Sequence, residues 1–213
     1  GDLAQADPPA AGSEDSDARR RAKIRMELAV SYFEQGQTSI ALEELRQVLA
    51  SDPNFADAYN LRGLIYMRMN EPRQAEESFR RAVSLNARDG TSPHNLGGQQ
   101  CQQRRYDESQ RSFDQALAVP GYLEKARTLM ALGVCQAIQG KRDEAEKSLF
   151  RAYELDPGNP IISYNLASLL FNRGDLERAQ FHLRRLDNSQ LANAEALWLG
   201  MKVERKLGDR LAT

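Results

Sequence analysis

The sequence has little that suits it to catalysis or metal binding. Of its 213 residues only two are cysteine and two are histidine. That is too few for a zinc framework, and their spacing matches no metal-ligand motif. His94 and His182 have no serine, cysteine or acid at a spacing that builds a triad, so each reads as a surface or groove histidine. The Gly97-Gly98 pair lacks the strand and phosphate-loop context of a nucleotide site and reads as one helix-packing glycine beside one irregular one. Neither an enzyme nor a cofactor is expected. Charge of one sign is also missing: Lys+Arg 29 against Asp+Glu 30 leaves a net −1, without the basic surplus of a general nucleic-acid binder. No uncharged stretch approaches the roughly 20 apolar residues of a membrane-spanning helix. What remains, 41% hydrophobic and 28% charged with 8 prolines, is a soluble globular composition.

The chain divides near its start. Residues 1–18 hold five acids (Asp2, Asp7, Glu14, Asp15 and Asp17), two prolines and a single large apolar residue, Leu3. Such a segment buries too little to offset its chain entropy, so 1–18 is expected to be a disordered acidic tether and 19–213 the folded domain. Charge then changes sign at Arg19-Arg20-Arg21, which reads as a solvated first helical turn.

From Ala22 onward the sequence repeats. Ala29, Gly63, Gly97, Gly133, Ala167 and Gly200 recur at spacings of 34, 34, 36, 34 and 33 residues. Twelve residues after each of the first five stand Ala41, Ala75, Ser109, Ala145 and Ala179, and sixteen after stand Leu45, Phe79, Phe113, Leu149 and Leu183. Small residues at fixed helical positions let two helices approach, and large ones fill the space beside them, so each unit reads as a helix–turn–helix pair. Gly36, Gly140 and Gly174, with Asn70 in the second unit, fall where a first helix ends in a left-handed cap. Asp52-Pro53 and Asp156-Pro157 stop second helices. The units are 22–55, 56–89, 90–125, 126–159 and 160–192, with a partial sixth at 193–213 whose first helix spans Asn193 to about Leu207.

This pattern resembles the tetratricopeptide repeat, with Tyr59, Gly63, Tyr66, Ala75, Phe79 and Ala82 of the second unit on that family's signature positions. The implied fold is all-α: a solenoid of antiparallel helix pairs wound as a right-handed superhelix of about five and a half repeats. A narrower resemblance lies between His94 and Gly140. Asn95, Gly97, Cys101, Arg104-Arg105-Tyr106, Ala116 to Tyr122 and Leu132-Gly133-Val134-Cys135 are similar to the PilF/PilW pilotin family of type IV pilus biogenesis lipoproteins, including a two-residue insertion around Pro120-Gly121-Tyr122. That resemblance implies a lipidated protein on the periplasmic face of the outer membrane that helps to localise and assemble the secretin subunit. Membrane contact would run only through a lipid anchor outside this sequence. The alternative is a generic tetratricopeptide-repeat adaptor for another apolar segment.

By the same resemblance, positions 2, 5, 9 and 12 of each first helix line an inner groove. They place Met26, Val30, Phe33, Asn60, Leu64, Met67, Met130, Val134, Tyr164 and Phe171 there, with Leu197 and Met201 further on. Methionines and other apolar groups in such numbers suit an apolar peptide or helix. Asn95 and Asn165 occupy position 6, where an amide can reach a peptide backbone. The two-carboxylate clamp of chaperone-binding repeats is not expected, because Met26 and Val30 stand where its Lys and Asn would be. Cys101 and Cys135 sit on consecutive first helices at positions 12 and 10. Across neighbouring helices about 8–10 Å apart, that offset turns one thiol toward the other, so one disulfide is expected, against the alternative of two buried thiols.

Overall fold

The computed structural model describes residues 11–197, with side chains from Asp17 to Ala194. Eleven helices and no strand occur among the described residues. They fall into two compact units, one ending at Ala87 and one beginning at Arg88.

The first unit contains α1 (Ala11–Glu34), α2 (Thr38–Ser51), α3 (Ala56–Arg68) and α4 (Pro72–Leu85). α1 packs on α2 and α3 on α4, and α2 in turn touches α3. Ala29, Ala41, Leu45, Val48, Ala58 and Ile65 are completely buried between them. The second unit contains α5 (Thr91–Gln102), α6 (Tyr106–Leu117), α7 (Lys125–Gln139), α8 (Arg142–Leu155), α9 (Pro160–Asn172), α10 (Leu176–Arg184) and α11 (Asn188–Leu197). Its pairs are α5 with α6, α7 with α8 and α9 with α10, and α11 lies against α9.

The small-to-large spacing of sixteen is the packing contact itself. A Cβ on Gly63 would lie 2.3 Å from the Phe79 ring, one on Gly97 2.8 Å from Phe113, and one on Gly133 2.7 Å from Leu149. The three large residues are buried to within 1%. Removing such an aromatic core side chain costs about 3–5 kcal/mol.

The first helices of the five complete repeats close in the same way. Gly36, Asn70, Gly140 and Gly174 have φ of 79°, 57°, 89° and 85°. Each donates its amide to the carbonyl three residues back, and the next residue donates to the carbonyl five residues back, as in Gly36 to Phe33 and Gln37 to Tyr32. This pair of bonds satisfies carbonyls that the helix end would otherwise leave open. The third unit does the same with Arg104, at φ 60°.

Two boundaries differ from the sequence expectation. α1 begins at Ala11, so residues 11–18 of the expected tether lie in a helix, while 1–10 lie outside the described residues. The first helix of the sixth unit begins at Asn188 rather than Asn193. There the Asp187 carboxylate accepts from the Gln190 amide at 2.8 Å, and the Gln190 side chain accepts from the Asp187 amide at 3.1 Å. This reciprocal capping box starts the helix early.

Candidate functional site

The first helices carry the expected binding residues, and the two units present them differently. In the first unit Met26, Val30 and Phe33 of α1 are half-buried against the core cluster. Leu64 and Met67 of α3 are also half-buried, and Asn60 is buried. The stripe is therefore apolar and partly open. Arg68, at the end of α3, lies over the Phe33 ring with its guanidinium carbon 3.8 Å from the centroid, and donates to the Phe33 carbonyl at 2.7 Å. A cation so placed gains from the ring's negative face and covers one side of an expected apolar anchor. The sequence reading did not include it.

In the second unit Met130 and Val134 of α7 are half-buried, as is Phe171 of α9, and Asn95 of α5 is buried. Tyr164 differs from the expectation. It is 1% exposed and packs with Ala167, Leu183 and Ala194, so it belongs to the core and lines no open surface. The packing of α11 against α9 covers it. Asn165 is 4% exposed. Leu197 and Met201 have side chains outside the described residues.

Both histidines are buried, which corrects the expectation of surface or groove residues. His94 is held at Nδ1, 2.8 Å from the Thr128 hydroxyl, and sits edge-on to Phe113 with centroids 5.8 Å apart. Burial, aided by the charge of Arg127, lowers its pKa to about 4, so the ring is neutral at neutral pH. The Tyr122 hydroxyl lies 2.8 Å from the same Thr128 oxygen, and its ring covers Gly90, where a Cβ would lie 2.6 Å away. The two-residue insertion, turned by Gly121 at φ 72°, thus returns the chain over α5 and ties it to α7 through Thr128. Burial raises the Tyr122 pKa above its ordinary value. His182 sits edge-on to Tyr153 at 4.8 Å and to Phe181 at 5.2 Å. Its pKa is lowered by burial and then by Arg185 and Arg178.

A second tie joins the same helices. Cys101 of α5 and Cys135 of α7 form a disulfide, with Cα atoms 6.2 Å apart. Around it lie Phe113, Leu132, Tyr106 and Leu117. Ser109 donates to the Gly97 carbonyl at 2.7 Å and stands 3.8 Å from the Cys135 sulfur. Polar pairs repeat within the helix pairs: Ser112 donates to Gln100 at 2.6 Å and Ser148 to Gln136 at 2.7 Å, both twelve residues apart. This recurrence was present in the sequence as a second periodic signal.

Among the described residues no three His, Cys, Asp or Glu side chains lie together as a metal site would require, and no helix is long and apolar enough to cross a membrane. The chemistry on display is apolar contact, cation–π contact and amide hydrogen bonding, which serve recognition.

Comparison with known proteins places the helix pairs in a family context. Tetratricopeptide-repeat models match residues 31–70, 56–89, 101–160 and 136–199. The type IV pilus assembly protein PilF of Pseudomonas aeruginosa is 26% identical over 185 residues, which is 87% of this chain and 73% of that protein. A crystal structure of PilW, described as a widely conserved type IV pilus biogenesis factor, superposes with a TM-score of 0.73 at 28% identity, over 90% of this chain and 88% of that one. The solved structure of Pseudomonas aeruginosa PilF gives a TM-score of 0.74 at 22% identity, over 93% and 92% of the two chains, a likeness of fold.

Proposed function

We propose that this tetratricopeptide-repeat chain, a relative of the pilus assembly protein PilF, is a non-catalytic scaffold that holds a partner protein during type IV pilus biogenesis. The partner we assign is the secretin subunit, and the role is pilotin-like: localisation and assembly of the outer-membrane pore. A lipid anchor outside this sequence would hold the chain at the periplasmic face of the outer membrane. The observation that carries the reading is the partly open first-helix stripe, Met26, Val30, Phe33, Leu64 and Met67 in one unit and Met130, Val134 and Phe171 in the other. Met26, Val30, Phe33, Met130 and Phe171 pack against the core, and all of these half-buried groups keep part of their apolar surface exposed for a partner. Each one desolvated on binding is worth roughly 1.5–3 kcal/mol.

The disulfide supports the periplasmic setting, since such bonds persist in oxidising compartments. It also holds α5 and α7 in fixed register without relying on a large core, which suits a small scaffold that must stay rigid while bound. The experiment is chromosomal deletion of the gene, followed by measurement of secretin multimers in outer-membrane fractions. Loss of multimers with the subunit still synthesised supports the role. Normal multimer levels in the outer membrane refute it.

A further inference from the structure

The stripe has a gap in the third repeat. Val30, Leu64 and Val134 occupy the same register position in the first, second and fourth repeats, and Gly98 occupies it in the third. Gly98 lies inside α5, away from either end, and is not among the residues of positive φ, so the backbone does not require a glycine there. Packing does not require one either. A Cβ on Gly98 would meet nothing within 4 Å, whereas one on the adjacent Gly97 would collide with Phe113. Glycine is the poorest interior helix former apart from proline, so its presence at an open, half-buried position leaves space that Val30, Leu64 and Val134 fill in the first, second and fourth repeats.

The surroundings of that space follow from the two ties between α5 and α7. His94 is bonded to Thr128 and Cys101 to Cys135, each pair 34 residues apart. Gly98 lies midway between the ties on α5, and Ala131, another small half-buried residue, lies midway on α7. Met130 and Val134 flank Ala131 and are partly exposed. Arg127, one turn before Met130, is exposed and makes no ion pair among the described residues, and its charge acts on His94 and Tyr122. A small-residue gap beside apolar neighbours, with the cation of Arg127 about 6 Å along the helix from Ala131, is therefore built into one repeat.

We propose that Gly98 forms a notch that receives one bulky apolar side chain of a bound peptide segment, while a carboxylate of that segment reaches Arg127. The occupant is set by charge complementarity: a segment with a Phe-, Leu- or Trp-sized anchor and an acidic residue within about two extended residues of it, each spanning about 3.3 Å. This assignment rests on the reading of the first-helix stripe as a binding surface and gives that surface its specificity.

The test uses a phage-displayed random dodecapeptide library on the full chain, in parallel with Gly98→Leu, Gly98→Ala and Arg127→Glu variants. Circular dichroism and thermal melts check that each is folded, and a glycine replaced in open helix should leave Tm equal or higher. The expected result is enrichment on the wild type of peptides with a large apolar residue near Asp or Glu. Synthesised peptides of that kind should bind Gly98→Leu at least tenfold more weakly and Gly98→Ala less severely so, and Arg127→Glu should lose the acidic preference. Equal affinity for wild type and folded Gly98→Leu overturns the notch while leaving the binding stripe in place. Enrichment of no peptide on any protein overturns both. A dimer of the wild type that Gly98→Leu dissolves would make the surface a self-contact and overturns the peptide assignment.

Discussion

Replacing His94 with asparagine should remove a specific acid sensitivity. The ring is buried beside Phe113, is held by Thr128 and has Arg127 as its charged neighbour, and these conditions lower its pKa from 6.5 to about 4. In the unfolded chain the imidazole returns to its ordinary value. Between those limits the unfolded state binds more protons than the folded one, so stability rises with pH through this window and falls on acidification. The full cost is present below the folded pKa, at about 3 kcal/mol, and none of it above the unfolded pKa. Moving from about pH 7.5 to about pH 5 should cost the wild type about 2 kcal/mol through this group, while most carboxylates remain charged. An asparagine amide keeps a polar atom near the position of Nδ1 but does not titrate. The assay is urea unfolding followed by circular dichroism at both pH values for wild type and His94→Asn. His182, whose pKa is also lowered, acts equally in both proteins and drops out of the comparison. The variant should lose about 2 kcal/mol less than the wild type. An equal loss in both would refute the claim that His94 is held neutral by its burial.

The Cys101–Cys135 bond closes 34 residues, so the Cys101→Ser, Cys135→Ser pair should cost roughly 3–4 kcal/mol on the chain-entropy account, read as a lower urea midpoint than the non-reduced wild type. Mass spectrometry of folded protein without reductant should find no alkylatable thiol. The adjacent glycines should respond with opposite sign. Gly97→Ala places a Cβ 2.8 Å from Phe113 and should destabilise by about 1–3 kcal/mol, while Gly98→Ala enters open space and should stabilise by up to about 1 kcal/mol. Thermal melts distinguish the two.

The repeat was legible because its packing contacts and its turns are both periodic. The offset from Gly63 to Phe79 is a helix-to-helix contact, and the glycines at 36, 140 and 174 are left-handed caps, so spacing alone located the pairs. Where the chemistry departs from the usual residue, the signal fades. Arg104 adopts the same left-handed turn as those glycines, held by the same two backbone bonds, yet its identity carries no hint of it. The capping box of Asp187 and Gln190 was readable, but the repeat period pointed five residues later. Exposure was the hardest to read. His94 and Tyr164 sit at positions that the repeat assigns to a groove, but the insertion that carries Tyr122 reaches the hydroxyl that holds His94, and α11 covers α9. The first covering comes from an insertion outside the regular period, and the second from the packing of the sixth repeat on the fifth, which spacing within one repeat does not display. The residue types of the first-helix stripe proposed for binding were readable, while the partial cover of Phe33 by Arg68 depends on a contact between α1 and α3 that no single helix displays.

The central claim is that the partly open first-helix stripe binds the pilus secretin. Its most direct test is the affinity of the full chain for the purified periplasmic region of the secretin subunit from the same genome, measured by titration calorimetry beside a Leu64→Asp variant of unchanged helicity and melting temperature. Leu64 is the better probe than Phe33, because an aspartate at 33 would pair with Arg68. The account predicts saturable binding that weakens at least tenfold in the variant, the loss of one desolvated apolar anchor of roughly 1.5–3 kcal/mol. Undiminished binding by folded Leu64→Asp, or no binding by the wild type, would contradict it.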